Sequence, residues 1–371
     1  MCTSLIYRDA HGKAYVGRTL ELIIDLPYQV TYLPAGSVNV SEIAGYRPLN
    51  YTSRYAVMAI TMPARVPTSD APIGISDLKV IEGLNDRGLT FSVLSYPSAA
   101  GTSQSVPATQ SALAASDLGS WALGQFGSVA EVKAALDEQP VLLEPLAILR
   151  GAMSPFHYVV NDAAGESIVI EFERGQMSVY DNPVGVLTNG PQFSWHLTNL
   201  NNYTFLSNVD KSTARFGGYK AVQPDSGVAT AGLPASNTSV GRFVRAVYYS
   251  QFTEKAASPD MAVRTLSHIM NNFDRPRGVT IDYPQAGSGH LEVEGLDQPD
   301  AEDYATEFTS WTSLSDLGRK LFFLRDYESM NFACFDLEAL ATLQEARAIP
   351  LLRLNSAAMD ASDLLRGAPV T

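Results

Sequence analysis

The sequence predicts an α+β fold, and the grouping of its secondary-structure signals carries this prediction. Segments with strand character occur at the start, in the middle and near the end of the 371-residue chain, and two pairs of helices lie between them. Grouped strands and grouped helices are typical of α+β proteins, whereas strict alternation indicates a parallel sheet. The sequence has no internal repeat of fixed period, so a solenoid or a propeller is not expected.

The chain begins with a predicted β-hairpin. Residues 3–7 and 13–18 have strand character, and the polar turn Asp-Ala-His-Gly at 9–12 joins them. A short polar turn between two such runs is typical of a hairpin. The antiparallel return is expected to bring Arg18 and Glu21 back beside Cys2.

The other elements are predicted from apolar runs and their spacing. Strands are expected over 28–33, 54–61, 78–84, 89–95, 157–160, 168–173, 177–180, 184–187, 303–311, 320–325 and 332–336. The strands at 177–180 and 184–187 are expected to continue the sheet of the two strands before them. Helices are expected over 118–126, 129–138, 242–252 and 261–273. Residues 211–238 lack periodicity, and the stretch from Leu337 onward is not assigned. Residues 96–116 predict a long loop, for which a binding role and a passive surface role are about equally common.

Composition excludes several function classes. Hydrophobic residues make up 46% of the chain and charged residues 18%, which is typical of a globular protein. The net charge is 26 minus 39, or −13, without a long run of like charge, so nucleic acid and an anionic membrane surface are not expected partners. No stretch approaches the ~18 apolar residues of a membrane span. The protein is expected to be cytoplasmic if Met1 is the natural start, and periplasmic if a leader has been replaced by Met.

Cys2 is the candidate nucleophile. Aminopeptidases usually remove an initiator Met that precedes a small residue, and removal would leave a cysteine with both a thiol and a free α-amino group. The thiolate is the attacking form. An α-amino group titrates near pKa ~7.7–8.0, so it can accept the thiol proton and later donate it to a leaving amine. The second cysteine, Cys334, is expected to play no part.

Six short motifs stand out along the chain: Met-Cys-Thr-Ser at 1–4, Gly-Arg-Thr-Leu-Glu at 17–21, Glu-Gly-Leu-Asn-Asp-Arg-Gly-Leu at 82–89, Leu-Thr-Asn-Gly-Pro at 187–191, Asn-Leu-Asn-Asn-Tyr at 199–203 and Gly-Leu-Pro at 232–234. Together they resemble the motifs of the choloylglycine hydrolase family, which includes bile salt hydrolases and penicillin V acylases and belongs to the N-terminal-nucleophile hydrolases. The family fold is a four-layer αββα sandwich with two antiparallel sheets. The resemblance therefore implies one domain over residues 2–371.

The resemblance also implies roles for individual residues. Arg18 would polarise the thiol and contact substrate, Glu21 would order the α-amino group, and Asn189 would donate a hydrogen bond to the oxyanion. Arg242 would support the region of the nucleophile through charge-assisted hydrogen bonds. No metal or cofactor is implied, and no zinc spacing, P-loop or dinucleotide motif is present.

Two positions depart from the family pattern. Glu21 stands where most members have Asp, which keeps the charge and adds one methylene. Ser95, in Leu-Ser-Tyr-Pro at 94–97, stands where bile salt hydrolases have Asn and some penicillin acylases have Tyr. The second oxyanion donor is therefore open, and a main-chain N–H at this turn is one candidate.

The expected substrate is a small linear amide. Ile24, Met62, Ser95 and Tyr96 are the candidate substrate-binding residues, and apolar or small neighbours suit a flat or flexible acyl group. Penicillin V or an acyl-homoserine lactone is the first expectation, and a conjugated bile salt is the alternative. A homo-oligomer is expected.

Two other classes of function stay open. A Cys-His hydrolase would need one of the five histidines to fold close to Cys2, and each of them has a structural or surface role by default. A non-catalytic binding protein is the third class, although it would leave a reactive thiol beside the terminus unused.

Overall fold

The computed structural model describes residues 1–99, 106–283 and 304–355. Within these ranges, two large antiparallel sheets stack face to face, and helices cover the outer surface of each. This is the αββα arrangement that the resemblance to the choloylglycine hydrolase family implied, and it confirms the α+β class predicted from the grouping of strands and helices. The predicted start of a strand at residue 303 and His290 lie outside the described residues.

The described chain contains twenty-two strands, several of them only two residues long. They are β1 (Cys2–Arg8), β2 (Ala14–Leu22), β3 (Gln29–Leu33), β4 (Val38–Ser41), β5 (Leu49–Thr52), β6 (Val57–Pro63), β7 (Leu78–Asn85), β8 (Thr90–Ser95), β9 (Leu113–Ala114), β10 (Val141–Leu142), β11 (Pro145–Leu146), β12 (Ala152–Met153), β13 (Phe156–Asn161), β14 (Ser167–Glu173), β15 (Gln176–Asp181), β16 (Val186–Leu187), β17 (Thr213–Phe216), β18 (Tyr219–Val222), β19 (Phe308–Asp316), β20 (Leu321–Asp326), β21 (Ala333–Asp336) and β22 (Arg347–Pro350).

The same residues form six α-helices. They are α1 (Leu118–Gln125), α2 (Val129–Leu136), α3 (Phe193–Asn199), α4 (Ser239–Phe252), α5 (Pro259–Met270) and α6 (Leu337–Leu340). The four predicted helices are confirmed within a few residues at each end. Three of them begin at hydroxyl N-caps, which accept hydrogen bonds from otherwise unpaired main-chain N–H groups.

The first sheet has the strand order β16-β1-β2-β19-β20-β21. The predicted N-terminal hairpin forms its centre, with Cys2 opposite Leu20 and Ser4 opposite Arg18. Helices α4 and α5 cover its outer face. A Cβ on Gly17 would lie 2.7 Å from the side chain of Met270, so this glycine lets α5 approach β2 closely.

The second sheet has the order β15-β14-β13-β8-β7-β6-β3-β22, and α1 and α2 cover its outer face. Apolar side chains fill the space between the two sheets and the space under each helical layer. Because successive side chains of a strand point to opposite faces, the hairpin presents one set of residues to the second sheet and another set to the helices.

Three of the differences from the sequence prediction concern the pairing of strands. The segment around β16 pairs with β1 in the first sheet, whereas it was expected to extend the second. The stretch 211–238, predicted to be irregular, contains the exposed hairpin β17–β18. Near the C-terminus, β22 pairs with β3 and adds an edge strand to the second sheet, so the unassigned stretch belongs to the fold at least to residue 354.

Candidate active site

Cys2 lies at the start of β1, and its side chain faces the second sheet. Only 4% of the residue is exposed. Arg18 lies on the same face of the hairpin, because the register places it opposite Ser4. Its Nη2 donates to Cys2 Sγ at 3.6 Å, so the positive charge of the guanidinium lies beside the sulfur that attacks as the thiolate. The expectation that the hairpin returns beside Cys2 is confirmed.

Arg18 is fully buried between the two sheets. Its Nη1 donates to Ile81 O at 3.0 Å and to Glu82 Oε2 at 3.2 Å, and its Nη2 donates to Val93 O. The guanidinium carbon lies 4.7 Å from the ring centre of Trp311. These contacts hold the guanidinium in one orientation against the sulfur.

Glu82 was not among the predicted site residues. Burial raises the pKa of its carboxyl to about 7, although the charge of Arg18 opposes this increase. For Arg18, burial lowers the pKa, but the negative charges of Cys2 and Glu82 outweigh burial and raise it. Glu82 is the first residue of the motif at 82–89, but sequence spacing alone does not indicate a pairing between residues 18 and 82.

Asn189 connects the nucleophile to its surroundings. Its side-chain Oδ1 accepts from the N–H of Cys2 at 2.9 Å and from Arg242 Nη2 at 2.7 Å. Its Nδ2 donates to the carbonyl of Ser95 at 2.8 Å, and its main-chain N–H donates to Ser239 Oγ at 2.9 Å. An amide nitrogen carries two hydrogens, so one donor of Asn189 is left for a group bound in the adjacent cavity.

Two histidines fix the turn that carries Asn189. His196 Nε2 lies 2.9 Å from the carbonyl of Asn189, and His157 Nε2 lies 3.1 Å from the carbonyl of Thr188. His157 Nδ1 lies 3.0 Å from Glu171 Oε1. Burial lowers the pKa of His196, which keeps its ring neutral at pH 7. In the described part of the chain no histidine bonds to the sulfur of Cys2, so the geometry gives no support to a Cys-His pair.

Arg242 approaches Cys2 from the opposite side of the hairpin. It projects from α4 and is fully buried. Its Nη1 donates to the carbonyl of Cys2 and to Thr3 Oγ1, the latter at 2.8 Å, and its Nε donates to Asn237 O at 3.0 Å. Burial lowers its pKa, and the negative charge of Glu21 opposes that effect.

Glu21 lies on the helical face with Arg242. Residues 18 and 21 are three positions apart in one strand, so their side chains point to opposite faces. Thr309 Oγ1 donates to Glu21 Oε1 at 3.4 Å. Burial raises the pKa of Glu21, and the positive charges of Arg242 and the N-terminus oppose it. The predicted catalytic residues therefore come together around Cys2 from both faces of one sheet.

A cavity of about 390 Å³ opens beside Cys2. One part of its wall is apolar, because Ile24, Leu26, Met62 and Phe156 pack around Leu149. Another part is polar and includes Met1, Asn189, Ser239 and Glu307. The predicted substrate-binding residues Ile24, Met62 and Ser95 line this cavity.

Tyr96 does not line the cavity, and its predicted contact with substrate is not supported. Its ring is fully buried and stacks on His157 with 4.8 Å between ring centres. The main-chain N–H of Tyr96 donates to Pro155 O at 2.6 Å. This N–H was a candidate second oxyanion donor, and its engagement with Pro155 removes it from that role.

The chain is similar to known amide hydrolases along most of its length. The sequence profile of linear amide C–N hydrolases of the choloylglycine hydrolase family matches residues 2–288. The chain belongs to the choloylglycine hydrolase family. It is 32% identical to a conjugated bile acid hydrolase from Lactobacillus acidophilus over 290 residues, which covers 76% of this chain and 84% of that protein. It is 24% identical to a bile salt hydrolase/transferase from Clostridium perfringens over 338 residues, covering 91% and 92% of the two chains.

Solved structures of choloylglycine hydrolase relatives show the same fold. A conjugated bile acid hydrolase from Clostridium perfringens superposes with a TM-score of 0.78 at 22% identity, covering 97% of this chain and all of that one. A penicillin V acylase from Agrobacterium tumefaciens gives a TM-score of 0.69 at 19% identity, with 94% and 92% covered. The protein thus has the N-terminal-nucleophile hydrolase fold.

Membership of the choloylglycine hydrolase family makes the protein an enzyme that hydrolyses linear, non-peptide C–N amide bonds. Among the residues described, no helix is both long and apolar enough to cross a membrane. The same ranges contain no cluster of His, Cys, Asp and Glu side chains that could hold a metal ion.

Proposed function

We propose that the protein hydrolyses N-acyl amides with an apolar acyl part through a thioester on Cys2, after removal of Met1. The thiolate of Cys2 attacks the amide carbonyl, and the α-amino group takes the thiol proton. The same group then donates that proton to the leaving amine as the C–N bond breaks. Water hydrolyses the thioester and regenerates the thiol.

One observation carries this proposal: Cys2 is held at both of its reactive atoms. Arg18 Nη2 lies 3.6 Å from Sγ, and Asn189 Oδ1 lies 2.9 Å from the main-chain nitrogen. The nitrogen would become an amine on loss of Met1, and the same acceptor would then orient it. A nucleophile and a base fixed on one residue need no separate histidine.

Asn189 is the proposed oxyanion donor. Its Nδ2 keeps one hydrogen after bonding to Ser95 O, and the residue lines the cavity into which the thiol opens. Preorganised donors of this kind typically contribute about 2.7–4 kcal/mol to transition-state stabilisation. Because Asn189 Nδ2 keeps a hydrogen beside the cavity and the N–H of Tyr96 is bonded to Pro155 O, Asn189 is the donor that the geometry supports best.

For the acyl part, we propose a bile acid as the first candidate. The relatives from Lactobacillus acidophilus and Clostridium perfringens are named as bile acid or bile salt hydrolases, and they support a conjugated bile salt over penicillin V, which was the first expectation from the sequence. The apolar wall around Leu149 and Phe156 suits a large hydrocarbon group.

A flexible acyl chain, or the phenoxyacetyl group of penicillin V, is the second candidate. A smaller cavity of about 70 Å³ shares Met62, Leu149 and Phe156 with the first and is lined mainly by apolar side chains. It would extend the apolar wall for a long acyl chain, as in an acyl-homoserine lactone. A steroid acid would instead benefit from hydroxyl partners, which are few along this wall.

Mass spectrometry of the intact protein tests the mechanism. We expect a mass that lacks Met1, and an acyl adduct after brief exposure to the amide followed by acid quenching. Proteolytic mapping should locate the adduct at Cys2. Full turnover by a form that retains Met1 would contradict the mechanism and favour a histidine base.

Steady-state kinetics test the acyl assignment. The values of kcat/KM for the glycinamide conjugates of deoxycholic acid, phenoxyacetic acid and a long fatty acid, which share one uncharged amine part, should be compared under one set of conditions. A preference for the deoxycholyl amide supports the first candidate, and a preference for either of the others supports the second.

A further inference from the structure

Met1 occupies the polar end of the cavity as a strand residue would. Its carbonyl accepts from the N–H of Glu21 at 2.7 Å, and its ammonium group donates to the carbonyl of Glu21. The ammonium nitrogen also lies 3.5 Å from Glu307 Oε1. Met1 and Glu307 both line the cavity that contains Cys2. Glu21 and Glu307 therefore bind an ammonium group and a carbonyl at the polar end of the cavity when Met1 is present.

Removal of Met1 changes the hydrogen bonding of the Glu21 main chain at the polar end of the cavity. The N–H and C=O of Glu21 lose the partners with which they form a regular antiparallel pair. Main-chain groups inside a protein are nearly always hydrogen-bonded, and an unpaired buried donor or acceptor is costly. A bound molecule with an acceptor and a donor at matching positions would restore both bonds.

Glu307 gives this end of the cavity its charge. Of the described side chains that line the cavity, it is the one carboxylate, and no lysine or arginine side chain lines it. Arg275 bonds to Glu307 Oε2 at 2.8 Å from a buried position. The other oxygen, Oε1, is the one that faces the ammonium of Met1.

We propose that the main chain of Glu21 and the carboxylate of Glu307 form a subsite for the amine part of the substrate. The subsite selects an uncharged or cationic amine part with N–H donors over an anionic one, because a carboxylate or sulfonate placed there would face Glu307. This inference rests on the proposed amidase reaction at Cys2 and refines it, since it concerns the amine and leaves the acyl group open.

The test uses three amides with one acyl group: phenoxyacetyl-glycine, phenoxyacetyl-glycinamide and phenoxyacetyl-(2-aminoethyl)amide. At pH 7 their amine parts are anionic, uncharged and cationic. We expect kcat/KM of the processed wild-type enzyme to be at least tenfold higher for the second and third than for the first. Glu307→Gln should remove most of this difference, while Glu307→Asp, which keeps a carboxylate for Arg275, should retain it.

The matched control is Glu345→Gln, which removes a carboxylate from an exposed ion pair with Arg347. It should leave the ratios unchanged. Equal ratios in wild type and Glu307→Gln, or a wild-type preference for the anionic amide, would overturn the subsite.

A binding experiment keeps this test separate from the reaction itself. Affinities of the three amides for the Cys2→Ala protein, measured by calorimetry, should follow the same order, with a loss of discrimination in Cys2→Ala/Glu307→Gln. If wild type hydrolyses none of the amides but the binding order holds, the proposed reaction fails and the subsite stands. If hydrolysis proceeds without discrimination between amine parts, the subsite fails and the reaction stands.

Discussion

Two fully buried arginines approach Cys2 from opposite faces of the same hairpin, and their partners differ. Arg18 contacts the sulfur and pairs with the carboxylate of Glu82 at 3.2 Å. Arg242 binds the carbonyl of Cys2, the hydroxyl of Thr3 and the amide of Asn189. Within the described residues Arg242 forms no ion pair.

This difference separates two tasks. The charge of Arg18 is directed at the group that ionises, so it acts on the chemistry of the thiol. Arg242 is directed at the main chain of Cys2 and at the side chain of Asn189, so it acts on their positions. The pKa values of the two arginines shift in opposite directions, in accord with this difference. The anions near Arg18 raise its pKa despite burial, whereas burial lowers the pKa of Arg242.

The largest effect on activity is expected from replacing Cys2, because both arginines contact this residue. Cys2→Ala should abolish turnover and leave the thermal midpoint nearly unchanged, because the new side chain is small and the site contacts of the main chain remain. Turnover is measured by chromatography of the products of amide hydrolysis, and the thermal midpoint is measured by calorimetry. Cys334→Ala is the matched control and should keep wild-type activity, while substantial hydrolysis by Cys2→Ala would exclude the thioester mechanism.

The two arginines should differ in their effect on the thiol. In a Cys334→Ala background, Arg18→Gln should slow the alkylation of Cys2 by iodoacetamide at pH 7 by roughly tenfold or more, because the thiolate is the reacting form and this variant removes the positive charge 3.6 Å from Sγ. Arg242→Gln should change this rate by less than about twofold, yet lower kcat through misplacement of Asn189. Equal changes in the alkylation rate for both variants would remove the distinction between the two faces.

Substitution of Glu21 changes only a residue on the helical face of the hairpin. A carboxylate near an ammonium favours the charged form of that ammonium, so Glu21→Gln should lower the pKa of the α-amino group. The acid limb of kcat/KM should then move to lower pH, and the rate should fall by somewhat more than tenfold, or ~1.4 kcal/mol. Glu21→Asp should restore the wild-type limb, and a normal profile in Glu21→Gln would make this carboxylate structural only.

Glu82 gives the smallest expected effect, on stability. Its pKa is about 7 in the folded protein and near ~4.3 in an unfolded chain, so the folded state holds the proton more tightly between these values. Stability from this group is therefore lost as pH rises from about 5 to 7. The Tm of wild type relative to Glu82→Gln should fall by roughly 1–3 °C between pH 5 and pH 8. A constant difference in Tm between the two proteins across that range would show that Glu82 does not change its ionisation between pH 5 and pH 8.

Much of the fold could be predicted from the sequence because its signals are local. The hairpin, the strands of the second sheet and the four helices have apolar spacing and capping residues that identify them without knowledge of distant contacts. The sheet to which β16 belongs, and the pairing of β22 with β3, could not be predicted in this way. Short strands acquire their partners from tertiary packing, and two residues carry no periodicity.

The candidate site was predictable where motifs carried it, and not where contacts between motifs did. Cys2, Arg18 and Asn189 lie where the motifs indicated. Glu82 and Glu307 were not predicted to lie at the site, because each reaches it through a contact with a residue far away in sequence, Arg18 and Met1 respectively. Tyr96 was misassigned since sequence shows which residue follows a strand but not whether its ring points into a cavity or into the core.

The spread of the site along the chain has a consequence during synthesis. The N-terminal strand leaves the ribosome first, but Arg242, which binds the carbonyl of Cys2, is made 240 positions later. At about 5–20 residues per second this interval lasts roughly 12 to 48 s. For that time Cys2 lacks the partners that later bury it, and a processing peptidase can reach the peptide bond that precedes Cys2 before the fold closes around it.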